Sequence, residues 1–485
     1  MEQRSAQWHA GPAAGSVPPW TGSDPVSRLT ETLATLATGW VHPDREAAWD
    51  LAERALVDTV AVALAASSDP TVTIALAALG ATASSGPSTV LTGGQPADPR
   101  QAALLGGLAA HALDFDDVDD AMIGHPSAVL VPAVLAVAEE HDLPGKALLD
   151  AYWAGLAVCR ALAGALGIDG HYGQGWHSTA TVGTVASAAA VARLRGLSLG
   201  QTQHALGIAG SLAAGSRQNF GTMTKPLHAG TAASNGVLAA TLAAAGFTAD
   251  QDQLERPLGF LALHHGGPNP SLPDATALAT PRLNVKLYPC CYYIHSAADA
   301  LRDLHHEGLS APDVDSIRVT VQPAGSGPLI HHRPTTGLQG KFSMEYASAA
   351  VLLDGDLRLP TFTDEHVNRP RAQDLLRRVT LEEAEVPPLG PRDWDTGYAV
   401  VQVTGRDGGV RERRVDRPRG HATRPVDEAE LRAKFEDALT FAELASGDRL
   451  YEGLRHLRAL TSVRDLTSEL RDLVSRSAAA AGTAS

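Results

Sequence analysis

Cysteine, aromatic side chains and positive charge are all scarce in this chain. Three cysteines occur in 485 residues: Cys159, Cys290 and Cys291. The count is odd, two are adjacent and no CxxC spacing exists. Neither a disulfide framework nor a thiolate metal site is indicated, and a reducing cytosol is the simplest compartment. Lys and Arg number 39 against 54 Asp and Glu, a net charge of −15. That balance excludes the basic face a nucleic acid requires and gives no attraction to an anionic membrane. A small anion can still bind, provided that cations are gathered in a pocket. Long apolar runs are missing too. The uncharged stretches 70–97 and 177–192 are mostly Ala, Gly, Ser and Thr, too weakly apolar for a bilayer span. Residues 1–25 are rich in Gly, Pro, Ser and Ala without an apolar h-region, so they read as a disordered tail rather than a signal peptide. Residues 475–485 read as a second loose tail.

What the chain has in abundance is alanine. From residue 26 to about 265 the pattern is almost wholly helical, because Ala is the best helix former. Ala52, Ala55, Leu56, Val60, Ala63 and Leu64 fall near i, i+3, i+4, i+7 spacing, and similar patterns recur at 148–166, 179–194 and 232–245. Faces of Ala and Gly let helix axes approach closely, so a compact bundle is expected. After about Leu283 the period changes. Residues 314–321, 378–382 and 398–404 alternate as strands, and Arg406-Asp-Gly-Gly409 is a hairpin turn. Helical patterns lie between them at 295–304 and 342–353, and helix returns at 427–460. The expected fold class is mainly α: a helical domain over 26–280, an inserted α+β lid domain over 281–415, and a C-terminal helical return over 416–474.

Five aspartates fall within seven positions: Asp114, Asp116, Asp117, Asp119 and Asp120. Asp116-Asp117-Val-Asp-Asp120 fits the DDxxD magnesium–diphosphate pattern of terpene synthases, since hard cations want several carboxylate oxygens. That reading needs a second magnesium motif and an aromatic pocket, and aromatics make up 5% of the chain. An EF-hand is excluded, because its Gly is missing and Val118 stands where a ligand belongs. The run also reads as a turn at a pocket mouth, where packed like charges raise some pKa values, or as a solvated acidic loop. His125-Pro126 follows on an extended dipeptide before a helix. His177 precedes a helix of small residues, either near an anion site or as a structural cap. Lys225 and Arg217 are the only formal charges from Ser211 to Ala249. A lone cation among apolar helices needs an anionic partner: a substrate carboxylate or one of the aspartates. Lys286 sits in an apolar setting before Pro289, with His295 at a helix start. Lys341 precedes the Ser343 cap and reads slightly better as a solvated surface lysine than as a cleft residue.

In this order and spacing, Asp58-Thr-Val-Ala-Val, His111-Ala-Leu-Asp-Phe-Asp-Asp117, His125-Pro-Ser, Gly175-Trp-His-Ser-Thr, Thr224-Lys-Pro-Leu-His-Ala-Gly230 and Lys286-Leu-Tyr-Pro resemble the MmgE/PrpD family. Lys341-Phe-Ser, Leu353-Asp-Gly355, Arg419-Gly-His-Ala-Thr-Arg-Pro and Leu431-Arg-Ala-Lys-Phe extend the resemblance over roughly residues 26–460. The family includes 2-methylcitrate dehydratase, cis-aconitate decarboxylase and iminodisuccinate epimerase. The resemblance implies a homodimeric enzyme without metal or organic cofactor, its active site between the two domains. It implies active-site positions at Asp114, His125, His177, Lys225 and Lys286. Substrate contacts are expected at Lys225, Lys286, His228, Cys291, His295 and Lys341. In this reading His177 is the leading acid or base, Asp114 orients it, and the lysines hold carboxylates and stabilise an enolate. Val118 stands where the decarboxylase has Thr. Cys291 stands about where it has a second-domain His, for which His295 could substitute, and its Tyr is missing near Ile330. These departures favour a hydro-lyase acting on a small di- or tricarboxylate, then an epimerase, then a decarboxylase. Outside the family stand the magnesium-dependent terpene synthase and a non-enzymatic carboxylate-binding protein.

Overall fold

The computed structural model describes residues 28–80, 85–264, 271–280, 282–395 and 397–483. The expected N-terminal tail lies outside them. The alanine-rich half folds as helices around one large core. Helix Arg45–Ala65 begins at Asp44, whose side chain accepts from the Ala47 amide. Helix Pro99–Ala112 begins at Asp98, which accepts from Arg100 and Gln101, with Pro at the first position. Both are favoured N-terminal arrangements. Gly145–Leu166 is apolar enough by composition to cross a membrane, yet 83% of its most apolar window is buried inside the protein. It is the central core helix, packed on Ser178–Leu194 and Pro126–Glu140.

Small residues set the helix spacing around the site. Pro99–Ala112 and Thr224–Ala244 cross where Gly107 faces Gly230. A Cβ on Gly107 would lie 2.9 Å from Gly230 Cα, and one on Gly230 would lie 2.2 Å from the Leu104 carbonyl oxygen. The missing side chains therefore permit a close crossing, which brings Lys225 beside His111.

The second core belongs to the lid. Its four-stranded sheet runs Val379–Glu383, Val314–Val321, Ala399–Gly405, Val410–Val415 in spatial order. The first pair is parallel and the others antiparallel. The expected hairpin turn joins the last two strands. Helices His295–His306 and Met344–Asp354 cover the sheet. The fold is mainly α with this one small α+β portion, as its class was expected to be. The C-terminal return differs in detail. It breaks into Glu428–Phe441, Asp448–Arg455 and Val463–Thr483. The last helix runs through the stretch from 475 to 483 that was expected to be loose. Ser477 is buried there and donates to the Leu473 carbonyl, while its hydroxyl accepts from the Ala445 amide.

Candidate active site

The acidic run is a buried loop between two helices. Asp114 adopts φ 53° and Ile123 φ 45°, left-handed conformations that a β-branched residue rarely takes. Tertiary contacts hold the loop in this shape. Val118–Asp119 pairs antiparallel with Leu283–Asn284, so the start of the lid is stitched to the loop just before Lys286. Three consecutive carbonyls then accept from three different lysines. Lys341 donates to Leu113, Lys286 to Asp114 at 2.9 Å and Lys434 to Phe115 at 2.8 Å. Two of these lysines come from the lid and one from the returning helix.

The aspartates are divided among protein partners. Asp116 accepts from His111 Nδ1 at 2.8 Å, Asp117 accepts from Ser127, Asp119 accepts from Arg160 at 2.8 and 3.0 Å, and Asp120 accepts from Asn284 at 2.8 Å. This is neither a solvated acidic loop nor a magnesium face, since each carboxylate is already engaged. Burial pushes the Asp117 carboxyl well up. The expected raised acid thus exists, but it faces Ser127 and Tyr152 rather than the cavity.

Asp114 is the centre of the site. Its Oδ1 accepts from Lys225 Nζ at 2.8 Å and from Lys286 Nζ at 3.1 Å. Burial would raise its pKa, but the two ammonium groups and the neighbouring imidazoles outweigh burial and hold it well below the usual carboxylate range. Burial lowers Lys286, and Asp114 and Asp116 more than compensate, so its pKa is raised. Lys225 also donates to His111 Nε2 at 2.9 Å. His111 is therefore neutral, with its proton on Nδ1 towards Asp116, and its pKa is pushed down to about 3 by burial.

Four imidazoles form a row. The ring centroids of His125 and His111 are 4.4 Å apart, those of His111 and His177 5.8 Å, and those of His177 and His228 5.3 Å. Burial and then Lys225 hold His177 well below its ordinary pKa, so it rests as a neutral imidazole. Beside this row lies a cavity of about 430 Å³ between the domains. That is ample for a small polycarboxylate. Asp114, His125, His177, Lys225, Lys286 and Cys291 line it, together with Val118, Tyr172 and His421.

Three expected substrate contacts lie elsewhere. His228 stands behind His177, Nδ1 to Nδ1 at 3.0 Å. His295 is fully buried in the lid against Tyr288 and Tyr292, its Nε2 3.4 Å from the Cys290 carbonyl. It therefore does not substitute for the decarboxylase's second-domain His. Lys341 is buried rather than solvated, spends its ammonium on the Leu113 carbonyl, and is lowered to about 8 by burial. Cys291 keeps its thiol proton, its pKa pushed up to about 11 by burial. Ile330 is exposed, away from the cavity, whose tyrosines are Tyr172, Tyr292, Tyr293 and Tyr398.

Sequence reasoning gave no role at the site to His111 or Lys434, and took Asp116 only as part of the acidic run and its DDxxD reading. His111 had a local signal, a histidine in the last turn of a helix leading into the acidic loop. Lys434 had none, because it reaches Asp58 and Phe115 across the domain. Donor atoms of His111, Asp114, Asp116 and His125 lie within 4.8 Å of one another, a spacing that suits a cation. The Lys225 ammonium already occupies that role, bonded to His111 and Asp114.

Comparison with known proteins identifies the family. Residues 31–273 match the MmgE/PrpD N-terminal domain, and residues 288–447 match the MmgE/PrpD C-terminal domain. Cis-aconitate decarboxylase of Mus musculus is 32% identical over 351 residues, covering 70% of this chain and 71% of that protein. The Homo sapiens enzyme of the same name is 31% identical over 349 residues, covering 70% and 72%. The cis-aconitate decarboxylase-like protein oryM of Aspergillus oryzae is 28% identical over 494 residues, covering 94% and 99%. With both of its domains matched in order, the chain belongs to the MmgE/PrpD family.

Proposed function

We propose that this chain is a lyase that breaks a bond next to a carboxylate of a small di- or tricarboxylate, using side-chain acid and base groups. The observation that carries the reading is the shared carboxylate of Asp114. It holds two lysine ammonium groups, 2.8 and 3.1 Å away, at the wall of a cavity also lined by His125 and His177. Buried ammonium groups aimed at one point are suited to charge that develops in a transition state. As a bond to the α-carbon breaks, its electron pair delocalises into the neighbouring carboxylate as an enediolate. Lys225 and Lys286 stabilise that charge, and His177 supplies or removes the proton. Asp114 holds both lysines in place and keeps Lys286 charged.

Within this class, loss of CO2 is the first reaction to test. It is the activity named for the mouse and human relatives, and the substrate proposed is an unsaturated tricarboxylate. Dehydration of a hydroxy-tricarboxylate is the second reading. Val118 and Cys291 favour it, because both occupy the cavity wall where a decarboxylase-like Thr and His were expected. The proposal extends to a cytosolic location, in keeping with three unpaired, buried thiols, and to a homodimer on the family resemblance alone. The test is incubation of the purified chain with cis-aconitate, citrate and 2-methylcitrate, following released CO2 alongside chromatography of the acids. CO2 with a dicarboxylate product supports the first reading. A new tricarboxylate alkene without CO2 supports the second. No change in any acid contradicts both.

A further inference from the structure

A buried acid that gives its proton to carbon must be recharged, and the position of His228 suits that task. His177 is 2% exposed, with one face on the cavity. Its Nδ1 is 3.0 Å from Nδ1 of His228. Two Nδ1 atoms at this distance share one N–H, so each ring keeps Nε2 for another partner. For His177 the remaining partner is the molecule in the cavity. For His228 it is water, because this ring is only half-buried and the same helical turn exposes Met223 and Leu227.

The backbone fixes the pair. The Gly215 carbonyl accepts from the His177 amide at 3.0 Å. A Cβ on Gly215 would stand 3.5 Å from the His228 ring and 2.6 Å from Ala180 Cβ, and its φ is 153°. Glycine thus lets the chain pass over His228 while holding His177. Burial and the Lys225 charge lower both imidazoles, so the pair rests neutral.

We propose that His228 is a proton relay that joins solvent to His177, and not a substrate ligand. The proposal rests on the carboxy-lyase reading. When a carboxylate leaves as CO2, the C–C bond breaks and its electron pair stays on carbon. That pair forms a C–H bond with the Nε2 proton of His177. His228 passes its Nδ1 proton to His177 Nδ1 and takes a proton from water at Nε2. Once the product has left, water in the cavity protonates His177 Nε2, the shared proton returns to His228 Nδ1, and His228 releases its Nε2 proton, which restores both tautomers. The sum is R–CO2⁻ + H⁺ → R–H + CO2, so one proton enters from solvent in each turnover. With substrate filling the cavity, that proton needs a second route. Dehydration needs none, because the proton taken from carbon leaves with hydroxide as water.

The test uses the full chain, with cis-aconitate as the probe and CO2 as the product measured. In weak buffer, His228→Asn lowers kcat about tenfold with KM unchanged, less than the roughly 100- to 10,000-fold loss of a group that itself transfers a proton to the reacting atoms. Added imidazole restores the rate in proportion to its concentration. An unchanged kcat, a loss that imidazole does not repair, or a rise in KM alone overturns the relay while wild-type CO2 release keeps the lyase reading. Absence of CO2 release from the wild type overturns that reading, and the relay falls with it. If His228→Asn does not fold, His228→Gln serves in its place. A proton inventory on the wild type needs no variant. A curved dependence of rate on deuterium fraction is expected for protons moving in series, and a linear one overturns the relay.

Discussion

Lys286 donates from one ammonium group to both the carbonyl and the carboxylate of Asp114, at 2.9 and 3.1 Å. The lid thereby grips the main chain and the side chain of the same residue, which itself sits at φ 53°. Lys286→Met removes both bonds and one of the two charges aimed at the enediolate. The expected loss in kcat/KM is about 100- to 1000-fold, the scale of removing one preorganised donor. Steady-state kinetics measure it, and circular dichroism checks that the variant is folded.

Asp114 keeps two buried ammonium groups in place. Asp114→Asn removes the carboxylate that both ammonium groups bond directly, and breaking a buried pair costs about 3–5 kcal/mol. Urea unfolding at neutral pH measures the loss. The sign with pH follows from the depressed folded-state pKa of Asp114. Its stabilisation is fully present above the ordinary carboxylate value of about 4 and is lost as pH falls through the lower folded value. Wild type therefore has a steeper acid limb of stability than Asp114→Asn, which keeps the contribution of other depressed carboxylates such as Asp116.

Lys341 titrates at about 8, lowered by burial and partly restored by Asp114. Above that pH it loses a positive charge close to the loop that presents Asp114. A falling limb in kcat/KM near pH 8 is expected, and Lys341→Met lacks it, running flat at a lower level. The stability sign is the opposite of the usual lysine case. The unfolded chain binds more protons than the folded one above about pH 8, so this group makes folding more favourable as pH rises from there towards its ordinary value.

Lys225 supplies the charge that a metal ion would bring to His111 and Asp114. Dialysis against EDTA is expected to leave turnover unchanged. Millimolar Zn²⁺ is expected to inhibit by competing with Lys225 for the same donor atoms. Loss of activity in EDTA, restored by magnesium, would support the DDxxD reading instead.

The parts legible in the sequence are those with local causes. Helix Arg45–Ala65 and strand Val314–Val321 were readable because their periods are carried by neighbouring residues. The grouping of Asp114, His125, His177, Lys225 and Lys286 rested on resemblance, and the fold does place them around one cavity. The direction of a side chain at a helix start was not legible. His295 and Lys341 both flank helices of the lid, yet one faces the lid core and the other the Leu113 carbonyl. That choice depends on how the lid packs, which spacing does not encode. The Lys434–Asp58 pair was hidden for the same reason, since its two halves are separated by most of the chain.

The most direct test of the account is proton NMR of the purified chain with cis-aconitate, citrate, 2-methylcitrate and iminodisuccinate in deuterated water. At least one acid is expected either to lose CO2 and gain deuterium beside a carboxylate, or to lose water and show a new vinylic proton. Unchanged spectra for every acid, with no deuterium entering any carbon, would contradict the account.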